Sequence, residues 1–161
     1  MSLDFALRVQ RLEDRNAISE RVITYATAID DADWDAFRDC FTDIVHVDFS
    51  SAGMPARDFA RDEFVAFARA GLSIFKARQH LSPNHLISFD ERYPDRAHCR
   101  SYMYAQHYQP GSATGEVFLM HGSYANGLRR TEGGWKIDSL VQHVSWMDGA
   151  PDARLTDPAG A

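Results

Sequence analysis

Three side chains in this sequence combine acid–base chemistry with a placement that could turn them inward: Asp30, His80 and His107. Asp30 follows Ile29 on the flank of an apolar stripe, close to the end of the helix that the stripe implies. A helix dipole favours cations at that end, so a carboxylate buried there needs a partner such as an imidazolium. The alternative is that Asp30, like Asp31 and Asp33, is a solvated turn residue. His80 lies in Arg78-Gln79-His80-Leu81-Ser82-Pro83-Asn84-His85, near the start of an expected strand. Alternation puts His80 and Asn84 on one face and His85 on the other, with Pro83 placed to interrupt the pattern by a bulge. Turned inward, an imidazole with a near-neutral pKa suits proton abstraction, and a carboxylate behind it would fix its tautomer and stabilise the imidazolium as it forms. Asp30 is the candidate for that carboxylate. A hydrogen-bonded structural histidine is the other reading of His80.

His107 sits in Tyr102-Met103-Tyr104-Ala105-Gln106-His107-Tyr108. Tyrosines pack like phenylalanine and still donate a hydrogen bond, so such a strand could hold a phenol, ketone or enolate oxygen. Three tyrosines so close together are equally consistent with a half-exposed sheet face or a subunit interface, the reading taken for Tyr102 and Tyr108. His46, His98, His121 and His143 raise the question of a metal. No pair has the helical spacing of a zinc protease and no His-x-His with a following carboxylate occurs, so no metal is expected. The sequence also lacks a glycine-rich phosphate loop, a dinucleotide fingerprint and a nucleophile elbow, so no cofactor is expected either.

The elements that must position these groups fall into two halves. Ile18, Val22, Tyr25 and Ile29 have the spacing of one helix face over Ala17 to Asp30. Asp31-Ala32-Asp33 offers a break and a new N-cap, and Trp34, Phe37 and Phe41 continue with helical period. Val45, Val47 and Phe49 alternate as a strand, Ser50 to Arg57 reads as a loop, and Asp58 to Ala70 reads as a third helix stopped by Gly71. From Lys76 onward, aromatic and β-branched stretches separated by turn residues predict four antiparallel strands. They run over Ala77 to Phe89, Arg96 to Gln109, Glu116 to Arg130 and Trp135 to Trp146. This order predicts an α+β fold in which a twisted antiparallel sheet curls into a cone over three N-terminal helices and encloses a cavity, an α+β barrel.

The chain has 161 residues, a length that predicts one domain, 1–147, followed by a polar tail, 148–161, rich in Pro, Gly, Ala and Asp. Its formal net charge is −6 and it has no basic run, which argues against nucleic acid as a partner. The first ten residues mix charges with apolar groups, so neither a signal peptide nor a membrane span is expected and a cytoplasmic location is the default. Cys40 and Cys99 have no paired spacing and are read as reduced, buried thiols.

Tyr25-x4-Asp30-x2-Asp33-Trp34-Asp35, Phe41-Thr42-Asp43, Gln79-His80, Asn84-His85, Gly122-Ser123-Tyr124-Ala125-Asn126 and Gly133-Gly134-Trp135-Lys136-Ile137 together resemble the polyketide-cyclase (SnoaL)-like branch of the nuclear transport factor two-like superfamily. The resemblance covers nearly the whole chain and implies the same cone-shaped fold. For activity it spans ketosteroid isomerases, scytalone and bile-acid dehydratases, a dehydrochlorinase, polyketide cyclases, and small subunits of aromatic-ring dioxygenases that have no active site. The dehydratases and the dehydrochlorinase look most similar, and they imply that Asp30 orients and charges His80 while His80 removes a proton beside the departing group. Tyr25 and His107 match pocket residues of dehydratases, and Phe49, Tyr124 and Asn126 fall at pocket positions. Phe49 stands where scytalone dehydratase has a tyrosine, and Leu140 where the dehydrochlorinase has an arginine for its leaving anion. A neutral or protonated leaving group fits better, with His107 as a candidate acid. The expectation is therefore a cofactor-free, dehydratase-type lyase acting on a small hydrophobic cyclic or aromatic molecule. The alternatives are an isomerase or cyclase using the same base, and a non-catalytic ligand-binding domain or dioxygenase small subunit. The family further implies a homo-oligomer, with a trimer favoured over a dimer.

Overall fold

The computed structural model describes residues 3–150, so 151–161 of the expected tail lie outside the described residues. Helix α1 (Leu3–Asp31) begins well before Ala17. Its first half has no apolar stripe, and Phe5, Leu7 and Leu12 are exposed, so periodicity could not reveal it. It consists largely of good helix formers, reinforced one turn apart by Gln10 donating to Asp14 and Asn16 donating to Glu20. The second half buries the expected Ile18, Val22, Tyr25 and Ile29. Ala32 in the left-handed conformation, φ 56°, ends the helix. Asp33 then caps α2 (Trp34–Asp39) by accepting the Ala36 N–H at 2.9 Å.

Strand β1 (Phe41–Asp48) leads through a short 3₁₀ turn, Ser50–Ala52, to β2 (Arg57–Ala60) and α3 (Arg61–Leu72). The strand β2 falls where the sequence suggested the start of the third helix, because Asp58 and Phe59 pair with His46 and Val45 of β1. Gly71 lies inside α3 and does not stop it. The expected strand from Ala77 to Phe89 is two strands, β3 (Ala77–Leu81) and β4 (Leu86–Phe89), each antiparallel to β5 (Arg96–Tyr108). The interruption carries Pro83, whose ring removes a donor, and Asn84 at φ 64°. Strands β6 (Val117–Thr131) and β7 (Gly134–Asp148) complete the sheet. Asp148, assigned to the tail by sequence, is the last residue of β7.

The sheet runs β2-β1-β7-β6-β5-β3, with β4 also on β5, and does not close. Every pairing is antiparallel except β1 on β7, which is parallel, so the sheet is mixed. Two register shifts in the β6–β7 pair, at His121/Gly122 and Gly127/Leu128, increase its curvature. The three helices occupy the concave side, where Phe37, Phe41, Phe64 and Val22 meet Val45, Val47, Ile137 and Leu140 in one core. Cys40 and Cys99 are free and buried, and burial pushes the Cys99 thiol up to about 11. No helix among the described residues is long and apolar enough to cross a membrane.

Candidate active site

The helices do not fill the concave side. A cavity of about 90 Å³ remains, walled by Ile29, Phe37, Phe49, Phe64, Phe67, Phe75 and Phe118, with Met54 and Met120 as adaptable edges. An apolar cavity of about 150 Å³ takes a benzene ring, so this one, smaller than that, leaves no room for a fused ring system. Five polar side chains reach its surface: Tyr25, His80, His107, Tyr124 and Gln142.

His80 is on β3, facing inward, and Asp30 is one residue from the end of α1 directly behind it. The Asp30 carboxylate holds residue 80 twice. Oδ1 lies 2.7 Å from the ring Nδ1, and Oδ2 accepts the backbone N–H at 2.8 Å. A carboxylate acceptor puts a proton on Nδ1, so in the neutral imidazole the lone pair is on Nε2. The His80 side chain is 6% exposed, whereas Asp30, at 20%, touches solvent from a groove outside the cavity. The solvated-turn reading of Asp30 therefore does not hold.

A residue that sequence reasoning missed lies beside Asp30. Arg78 also faces inward on β3, and its guanidinium donates to Ile29 O at 3.1 Å, Leu72 O at 2.8 Å and Phe75 O at 3.3 Å. One cation thus closes the carbonyl ends of α1 and α3 next to Asp30. Arg78→Met is expected to lower stability by about 2 kcal/mol or more in urea unfolding, with Arg78→Lys recovering only part because an ammonium cannot span the same acceptors.

His107 packs between Phe75, with ring centroids 4.6 Å apart, and Phe118, and meets His80 edge-on at 5.2 Å. Burial, followed by the proximity of His80, lowers its pKa to about 4. Its Nδ1 lies 3.4 Å from Phe118 O, which makes Nε2 the acceptor. A pKa that low counts against the acid role that the resemblance offered it. Because the unfolded state takes up a proton near pH 6.5 and the folded state only near pH 4, stability should rise with pH across that window. The expected loss between pH 7 and pH 5 is about 2 kcal/mol, and His107→Phe should remove most of it in paired urea titrations.

Strand alternation turns Tyr102 and Tyr108 outward, where they are 55% and 36% exposed. Tyr104 packs on His121, and His121 stacks on Trp146 at 3.9 Å, so this aromatic row lies outside the cavity. Tyr25, Phe49 and Tyr124 line the cavity as expected, but Asn126 does not. It is buried farther along β6, opposite Cys99 and Leu140, with neither side-chain polar atom partnered. Gln142 takes the place on the wall that Asn126 was expected to fill. Among the described residues, no group of three His, Cys, Asp or Glu side chains is poised to hold a metal ion.

The curved α+β cone of three helices on a seven-stranded sheet is the fold of the nuclear transport factor two-like superfamily. Within it, the chain belongs to the SnoaL-like domain family, whose match covers residues 10–141. None of the curated proteins matches the chain in sequence. Kfla4162 from Kribbella flavida is 29% identical, with 86% of this chain and 95% of that one covered and a TM-score of 0.80. A provisionally named aromatic ring hydroxylase from Novosphingobium aromaticivorans is 27% identical over 86% of this chain and 94% of its own, with a TM-score of 0.76. A provisionally named scytalone dehydratase from the same organism is 19% identical over 94% and 96%, with a TM-score of 0.77, and shows likeness of fold alone.

Proposed function

We propose that this chain is a dehydratase-type lyase that removes a proton beside a carbonyl of a small neutral ring and expels water. The observation that carries this reading is the Asp30–His80 pair at 2.7 Å with His80 on the wall of an apolar cavity. In the proposed step the α-carbon proton moves to His80 Nε2. The C–H pair becomes a carbon–carbon double bond, and the carbonyl pair moves to oxygen as an enolate. The enolate then collapses, the bond to the β-hydroxyl breaks, and the proton on Nε2 goes to the departing oxygen. Water and an enone are the products, and His80 is returned to its starting form. Asp30 stabilises the intervening imidazolium and remains a carboxylate throughout. A single histidine serves as base and then acid, which suits a site where His107 is held neutral. An isomerase would use the same first step and return the proton to another carbon.

The test is incubation with 3-hydroxycyclohexanone, followed in the ultraviolet for 2-cyclohexenone. Catalysed, His80-dependent enone formation from this or a substituted ring ketone supports the reading. Proton exchange without water loss turns it to the isomerase. The hydroxylase name of one relative favours a second reading, a non-catalytic subunit of an oxygenase. That reading expects Asp30→Asn and His80→Ala to leave the chain's association with a catalytic partner unchanged.

A further inference from the structure

Outside the ion-paired guanidinia of Arg57 and Arg61, the buried side-chain polar atoms that lack a hydrogen-bond partner among the described residues fall in one place. They are Ser82 Oγ, His85 Nε2, Ser101 Oγ and both polar atoms of the Asn126 amide. Ser101 and Asn126 are each 1% exposed. The sheet register gathers the four side chains on one stretch of the concave floor, under α1. Cys99 pairs with Asn126 and Ser101 with Tyr124, so Asn126 lies diagonally across from Ser101. His85 comes one residue before the Leu86–Arg100 pair, which sets it opposite Ser101 on the other side of β5. Pro83 O accepts the Tyr102 N–H at 2.9 Å and holds that stretch against β5. His85 faces inward, because its Nδ1 lies 2.7 Å from Ser19 Oγ of α1. Ser82 follows Leu81, the partner of Tyr104, and so flanks Met103, the next inward residue of β5 after Ser101.

A polar group shut from water without a partner costs its full desolvation, and four such side chains together would take a large share of the stability of a domain. Direct and diagonal neighbours on a sheet face stand roughly 5–8 Å apart, a span that an intervening water bridges. A cation fits poorly, since the four side chains include no carboxylate to offset the desolvation of an ion. We propose that Ser82, His85, Ser101 and Asn126 form a binding site for internal water between α1 and the sheet. Water held there ties β4, β5 and β6 to α1 through the Ser19–His85 bond, and it accounts for an amide buried opposite Cys99 and Leu140. None of the four lines the cavity, so the site is independent of the lyase reading.

The experiment counts long-lived internal waters by ¹⁷O magnetic relaxation dispersion in the wild type, Asn126→Leu and Ser101→Ala, and records the thermal unfolding of each. The wild type should hold long-lived water, and Asn126→Leu, which removes both amide atoms at similar volume, should hold at least one molecule fewer. Ser101→Ala should melt about 2–4 °C lower, the shift expected from losing one hydrogen bond in a domain of this size. An identical dispersion amplitude in the wild type and a folded Asn126→Leu overturns the proposal. So does a higher melting temperature in Ser101→Ala, the gain expected from deleting a hydroxyl that had nothing to bond. Should Asn126→Leu fail to fold, a high-resolution crystal structure of the wild type decides in its place. Water density at about 2.7–3.2 Å from at least two of the five atoms supports the site, whereas no density, or a cation in its place, overturns it.

Discussion

In D2O, the His80→Ala protein is expected to exchange the α protons of 2-cyclohexenone about 10²–10⁴ times more slowly than the wild type, the range by which a positioned general base accelerates proton transfer. Its affinity for the ring should change by only a few fold, because apolar side chains make most of the cavity wall. Asp30→Asn should cost up to about 10⁴-fold for a different reason. The amide can donate to Nδ1 and so move the ring proton to Nε2, the wrong-tautomer effect known from the Ser-His-Asp triad. The backbone N–H of residue 80 that Asp30 now receives at 2.8 Å can still bond to an asparagine oxygen, so Asp30→Asn should fold. Retained exchange in a folded His80→Ala protein would remove the proposed base.

The second large effect concerns the sheet. Gly122 lies at the register shift that bends β6 against β7, and a Cβ there would sit 1.9 Å from the backbone oxygen of His143 and 3.1 Å from Val144 Cα. Neither atom is a side-chain end that can swing away, so Gly122→Ala must move the backbone at the bend. A cost of about 3 kcal/mol or more follows, on the order of a 6–12 °C fall in melting temperature for a domain of this size. The cavity should suffer with it, because Tyr124 is two residues along β6 and Gln142 is one residue before His143. Gly127→Ala, at the other shift, meets Asp138 Oδ1 at 2.9 Å and Ser139 Cβ at 3.0 Å and should be milder, since the carboxylate can rotate and the Cβ contact needs only a few tenths of an ångström of relief. A Gly122→Ala protein melting within 2 °C of the wild type would show that the bend tolerates a side chain.

What the sequence reveals and what it hides follow from the range over which each signal acts. The helix face through Ile18, Val22, Tyr25 and Ile29, the Asp33 cap and three of the long strands are local patterns, and they appear in the structure near the expected positions. The Asp30–His80 pair is brought together only by the fold, and the sequence points to it through the resemblance whose motif contains both residues. Gln142 is hidden for the opposite reason. Inward residues on β7 run Trp135 and Ile137, then Leu140 and Gln142, because one extra residue at the second register shift changes the alternation. A bulge of that kind depends on the partner strand, so period-two reasoning from Trp135 puts Gln142 on the wrong face. Arg78 is missed because its acceptors are carbonyl oxygens, which every residue has and no sequence pattern marks. Asn126 and Gln142 are both buried polar residues, but Gln142 pairs with the cavity residue Tyr124, whereas Asn126 lies two residues farther along β6, beyond the cavity.

The proposed chemistry requires that Asp30 hold His80 with its Nε2 lone pair open to the cavity. The measurement that tests it most directly is a ¹⁵N spectrum of the histidine ring nitrogens at neutral pH, assigned through His80→Gln and repeated with 2-cyclohexenone bound. A protonated His80 Nδ1 is expected in the wild type, with an unprotonated Nε2 that responds to the bound ring and loss of that pattern in Asp30→Asn. A His80 ring protonated at Nε2 alone, unaltered by Asp30→Asn and unresponsive to the ketone, would contradict it.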